Sequence, residues 1–224
     1  MKLIIAGSRT LTHYEWLVDA ILQSGFKPRE IVSGGARGPD KLGERYAAEM
    51  GIQVKLFPAQ WDKFGKSAGY RRNAEMGDYA DALLILYDGI SKGSKHMFEY
   101  MHKIRKYNVF VYDVSSQTVT SYFARYKEGI WTPLSIAQGS PNWYTGAEYD
   151  ALKPPWDLIT RYKRDGDEAL YTAGYYTQVL NRLDRDEVRK HVRGHALLCW
   201  ERAGDFCHRR IVAEWLGGCV TELS

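Results

Sequence analysis

"SGGARGPDKLGERYA" (residues 33–47) follows the apolar pair Ile31-Val32 and decides how the first half of the chain is read. Gly34, Gly35 and Gly38 fall within five positions, and apolar residues at helical spacing follow over residues 40–50. A strand, a glycine loop and a helix in succession let backbone N–H groups approach an anion, and the helix N-terminus adds about half a positive charge. Arg37 offers a bidentate contact to phosphate, and Asp40 suits either a helix cap or an acceptor for ribose hydroxyls. The same glycines also serve a plain tight turn capped by Asp40, so this loop alone leaves both readings open.

The surrounding pattern repeats the unit. Apolar stretches at 2–6 (KLIIA), 31–32, 52–57, 82–87 (ALLILY) and 108–112 read as strands, and 13–24, 40–50 and 95–106 carry helical spacing. This alternation predicts an α/β fold, a Rossmann-like parallel sheet with helices on both faces over residues 1–114, followed by a second, smaller α/β domain over 115–224. Ligands of such sheets bind beyond the carboxyl ends of the strands. The loops falling there hold Gly7, Ser8, Arg9 and Thr10 after the first strand and Ser33 with the glycines after the second. Asp88, Gly89, Ser91, Gly93 and Ser94 follow the fourth. "FGKSAGYRRN" (64–73) adds the cations Lys66, Arg71 and Arg72 and the amide of Asn73. Convergence of several such loops on one edge points to a phosphate-bearing small molecule.

Four motifs in order, GSRT, SGGARGPDKLGERYA, GKSAGYRRN and DGISKGSKHM, resemble the YspA-related branch of the SLOG superfamily over roughly residues 1–113. The resemblance implies a Rossmann-like domain that binds nucleotides or nucleotide-derived ligands, with a dimer or larger homo-oligomer as its expected assembly. Some members of the superfamily cleave an N-glycosidic bond, and others only sense a ligand. The phosphoribohydrolase branch carries PGGxGTxxE. Here Ser33 replaces the Pro, Arg37 is an extra residue and Pro39 stands at the Thr position. Were the domain catalytic, a carboxylate beside the ribose would stabilise an oxocarbenium-like transition state and orient water. Asp40 and Glu44 are the candidates, with Asp88 as a substitute and Arg9, Arg37 and Arg72 holding phosphate. A solvated helix face is the plain alternative for Glu44.

Beyond the polar break at residues 115–118 the chain turns rich in Tyr, Trp and Pro. Helical spacing returns at 149–163, 168–182 and 209–216, and strand-like runs at 195–200 and 218–223. "HALLCWERAGDFCHRRIVAEWL" (195–216) is similar to the bacterial domain of unknown function 488, recognised by its Cys-His-Arg motif, over roughly 118–223. Cys207 at the start of a helix and near cations would be acidified and nucleophilic, with His208 and Arg209 forming an anion pocket around it. A buried structural cysteine beside a capping histidine is the plain reading. His191, His195, Cys199, Cys207 and His208 are close in sequence but lack paired ligand spacing, so neither a metal nor any other cofactor is expected.

Composition narrows the classes. The 224 residues carry a net charge of +4 with interspersed signs, which disfavours, without removing, a polynucleotide-binding role. Trp131, Trp143, Tyr144, Tyr149 and Trp156 could stack bases, although packing the second core is the simpler use for them. No apolar run nears the ~20 residues of a membrane span, and the opening MKLIIAG is too short for a signal peptide. Cys199, Cys207 and Cys219 are odd in number and clustered, which suits reduced thiols in a cytoplasm. Three functions remain: a nucleotide hydrolase or transferase acting at a ribosyl bond, a non-catalytic sensor or sponge of a nucleotide signal, and a DNA- or RNA-processing accessory protein.

Overall fold

The computed structural model describes residues 1–127, 129–218 and 220–223, and Cys219 lies outside them. Two compact units, Met1–Ser115 and Ser116–Ser224, each hold a five-stranded parallel sheet. Among the described residues no helix is long and apolar enough to cross a membrane.

The first unit runs β1 (Lys2–Gly7), α1 (Tyr14–Ser24), β2 (Glu30–Ser33), α2 (Pro39–Met50), β3 (Gln53–Leu56), α3 (Trp61–Phe64), α4 (Ala68–Tyr79), β4 (Ala82–Tyr87), α5 (Lys92–Lys103) and β5 (Val109–Asp113). The strand order is β3-β2-β1-β4-β5, so chain progression reverses between β1 and β4. The apolar runs LIIA and ALLILY are the two strands on either side of that reversal, and each is buried along nearly its whole length. Side chains alternate across β1. Ile4 packs with Met76 of α4 and Met97 and Met101 of α5, whereas Ile5 meets Gly43 of α2. With a helix pair on each face, the carboxyl ends of β1 and β4, where the strand order reverses, are where a ligand of such a sheet binds.

The segment at 64–73, expected as a loop, is mostly helical. A 3₁₀ turn at Gly65–Ser67 leads into α4, whose buried Ala68, Asn73, Met76 and Gly77 form one face. Gly65 and Gly69 mask that face in the sequence, since glycine is a poor helix former.

The second unit contains β6 (Val119–Tyr122), β7 (Thr132–Ser135), β8 (Ala147–Glu148), α6 (Trp156–Asp165), α7 (Glu168–Gln178), α8 (Arg185–Val192), β9 (His195–Cys199), α9 (His208–Leu216) and β10 (Thr221–Glu222), with sheet order β10-β6-β9-β7-β8. Its core gathers Leu197 of β9, Tyr171 and Tyr175 of α7, Val188 and Val192 of α8, and Ile211, Val212 and Trp215 of α9. Tyr175 donates its hydroxyl proton to the Leu152 carbonyl at 2.5 Å, satisfying the one polar atom it brings into the core. Pro154-Pro155 sets the start of α6 at Trp156, later than helical spacing alone suggests, because proline cannot supply the hydrogen bonds of an interior turn.

Candidate functional site

The glycine loop does bring backbone N–H groups to an anion, and that anion is the protein's own. The N–H groups of Gly34 and Ala36 donate to Asp40 Oδ2 at 2.9 and 3.3 Å, and Gly35 N–H donates to Ser33 Oγ at 3.0 Å. Gly38 precedes α2 with φ +78°, a conformation that favours glycine, and Pro39 opens the helix without an N–H to satisfy. Burial pushes the Asp40 carboxyl above its ordinary range, opposed by the Arg72 guanidinium at 3.7 Å and by the two loop N–H groups. Gly34 is needed for another reason. A Cβ there would fall 1.4 Å from Arg72 Nη1, so the bare backbone is what lets α4 lay its arginine across the loop.

A cleft of about 540 Å³ opens at the carboxyl ends of β1 and β4. Of the residues expected at a ligand site it brings together Gly7, Ser8, Arg9, Thr10, Asp40, Arg72, Asn73, Asp88, Ser91, Gly93 and Ser94. Burial opposes charge on Arg72, Asp40 supports it, and Arg9, which lines the same cleft, opposes it. Asp88 accepts from the N–H groups of Ile90 and Ser91 at 3.1 and 3.0 Å. Burial raises its carboxyl, but these bonds and the Ser8 hydroxyl outweigh burial and hold it below the ordinary value. Ser91 caps α5, accepting from Ser94 N–H at 3.3 Å, and Asn73 donates to the Gly93 carbonyl at 3.2 Å. The start of α5 is thereby tied to both β4 and α4.

Ser33, Gly34, Gly35, Arg37, Gly38, Arg71 and Gly89 do not line this cleft. Arg71 lies over the Phe64 ring, 4.5 Å from its centroid. Glu44 is also absent from the lining, accepting instead from Ser33 Oγ at 2.7 Å and Lys41 Nζ at 2.6 Å. Two aromatic lining residues escaped the sequence reading: Trp61 and Tyr70, 51% and 46% exposed, with the Tyr70 ring 4.5 Å from that of His96. Their only signal was position, since Trp61 shortly precedes the stretch 64–73 and Tyr70 falls within it.

In the second unit Cys207 is the residue before α9, as its motif suggested, and sits beside a separate cavity of about 490 Å³. Burial opposes ionisation of its thiol, but the hydrogen bond with Cys199 and the neighbouring His208 outweigh burial and bring it below the ordinary value. Cys199 is held as a thiol by its bond to Cys207 and by burial. His208 lines the cavity and Arg209 does not. Fully buried, Arg209 donates to the Glu201 and Arg202 carbonyls and to Glu222, a clamp between β10 and the turn after β9. The aromatics divide. Tyr144 and Tyr149 bind within the unit, through the Ala147 carbonyl and the His191 ring, while Trp143 and Trp156 are exposed.

Strand order, cleft position and lining make the first unit an open α/β unit whose switch-point cleft suits an anionic ligand. The sequence profile described as the YspA, cpYpsA-related SLOG family matches residues 1–64. Gene 61 protein of Mycobacterium phage D29 is 34% identical to the chain over 105 residues, covering 42% of this chain and 83% of that protein. The chain belongs, through its first unit, to the YspA, cpYpsA-related SLOG family, a membership that suggests a nucleotide-related ligand. No solved structure matches.

Proposed function

We propose that the first unit binds a nucleotide or nucleotide-derived ligand in the cleft beside β1 and β4, with phosphate between Arg9, Arg72, Lys66 and the start of α5. The observation that carries this reading is that Arg9, Lys66 and Arg72 all line one cleft, where the charge of Arg9 opposes that of Arg72. An anion between them relieves the repulsion and forms charge-assisted hydrogen bonds. Helix α5 supports it, because Lys92 opens a helix with no acidic residue in its first turn, an arrangement its dipole opposes unless an outside anion is bound. Trp61 and Tyr70 give a purine or pyrimidine ring a face to stack on.

A second reading, cleavage of the N-glycosidic bond, is favoured by Asp88, a carboxylate held ionised in the same cleft. It would stabilise positive charge at the ribosyl carbon as the C–N bond to the base breaks, while water gives its hydroxyl to that carbon and its proton to the departing base. Asp40 is engaged by the loop, so Asp88 is the carboxylate we assign to this step. We also assign the second unit, on its Cys-His-Arg motif, to the domain-of-unknown-function-488 type.

The test is a thermal-shift screen against nucleoside phosphates, ADP-ribose, NAD and cyclic dinucleotides, with each mixture afterwards weighed by mass spectrometry. A ligand at ~100 times its Kd adds about 2.7 kcal/mol of stability. Recovery of free base and ribose phosphate establishes cleavage, and intact ligand establishes a sensor or sponge. No shift with any of them rejects the nucleotide reading and leaves single-stranded nucleic acid as the next ligand to try.

A further inference from the structure

Cys199 ends β9, and Cys207 and His208 stand eight and nine positions later at the start of α9. The sequence offers no paired spacing, yet folding brings the two sulfurs and a ring nitrogen of His208 within 4.8 Å of one another. All three residues are buried. His208 Nδ1 lies 3.6 Å from Cys199 Sγ and 3.7 Å from Cys207 Sγ. A tetrahedral ion with Zn–S of about 2.3 Å and Zn–N of about 2.0 Å separates sulfur from nitrogen by roughly 3.5 Å. The observed spacings are those of a tetrahedron's edges.

Two further features fit a metal. His208 Nε2 is 2.9 Å from the Ile136 carbonyl, which can only accept, so Nε2 carries the proton and Nδ1 turns its lone pair toward the sulfurs. This is how metal-bound histidines are oriented by a backbone partner. Glu201 Oε2 stands 3.0 Å from both sulfurs, and a shift of about half an ångström would make it a fourth ligand at the remaining corner. Glu201 is exposed and lines the 490 Å³ cavity together with the other three residues, so the fourth position faces open space.

We propose that Cys199, Cys207 and His208 bind a zinc-class divalent ion, with Glu201 closing the fourth position from the cavity side. Two thiolates and an imidazole select a borderline-soft ion over magnesium or calcium, whose ligands are oxygens. The thiol protons are released as the ion binds. Cys207 on this account is a ligand rather than a nucleophile, and a molecule in the cavity would reach the ion by displacing the Glu201 carboxylate.

The test uses the full chain, reduced, stripped with a chelator and titrated with Co²⁺ alone. Intense visible bands of tetrahedral cobalt and a near-ultraviolet sulfur-to-cobalt band, both saturating at one equivalent and bleached by Zn²⁺, are expected. Alkylation of Cys199 and Cys207, followed by peptide mass, should be slow with zinc and fast after chelation. Cys199→Ser and Cys207→Ser should each weaken cobalt binding by at least ~100-fold, since loss of even an outer-shell partner costs about 10–100-fold. Octahedral-type weak absorption without the sulfur band, or alkylation indifferent to zinc, overturns the proposal, as does a Cys199–Cys207 disulfide forming in place of the complex. The titration and alkylation of the unaltered chain decide the matter even where a serine variant fails to fold.

Discussion

Gly34 and Asp40 show how much one residue governs around the glycine loop. Gly34→Ala places a methyl 1.4 Å from Arg72 Nη1, so the guanidinium has to leave Asp40. A stability loss of about 1–3 kcal/mol is expected, with at least a several-fold loss of nucleotide affinity. Gly35→Ala is the contrast. Its φ of +69° strains an alanine by roughly 1–2 kcal/mol, but open space surrounds it, so affinity should be preserved. Urea denaturation and ligand titration of both variants check this. The two cleft carboxylates give opposite pH responses. Asp40 binds its proton more tightly when folded, so its contribution is fully present below the ordinary value of 3.8 and is lost as pH rises through the higher folded value. Asp88 is shifted down, so its contribution is present above 3.8 and is lost as pH falls through the lower folded value. Urea midpoints across acid pH should therefore show Asp40→Asn gaining on the unaltered chain as pH rises through that window, and Asp88→Asn falling behind it.

At the scale of elements, the start of α5 holds its place in the cleft through a single side-chain cap and a bond to Asn73. Ser91 is its cap through the Ser94 N–H, and Ser91→Ala should cost about 1 kcal/mol in urea denaturation. Where Ser94 also loosens, nucleotide binding should weaken in the same variant. The central strands and their glycine loops were legible because apolar runs buried on both faces have one reading. Helix α4 was not, since two glycines and two cations hide its apolar face, yet it supplies Arg72 and Asn73 to the cleft. Strands β7 and β8 were equally obscure. Pro133 interrupts one and the other is two residues long, so β7 depends on pairing with β9 and β8 on pairing with β7.

Over the whole molecule each unit has its own sheet, core and cavity. Hydrogen exchange on the full chain should therefore show a bound nucleoside phosphate slowing residues 7–10 and 88–94, and zinc slowing residues 199–209. A nucleotide that protected only the second set would displace the proposed site. The modest charge of +4 predicts weak polynucleotide binding that fades with salt, readily measured by fluorescence anisotropy. The sequence by itself determined the α/β character, the parallel first sheet and the loops at its carboxyl edge, because burial on both faces and glycine punctuation are local in the chain. It also marked most of the cleft's polar residues. Only the tertiary structure decided what those residues face. Asp40 fills the cradle of its own loop, Arg72 reaches that loop from a helix some thirty residues on, and Cys199 meets Cys207 and His208 across the turn from β9 to α9. Such meetings depend on how elements pack, and no spacing within a single element encodes them.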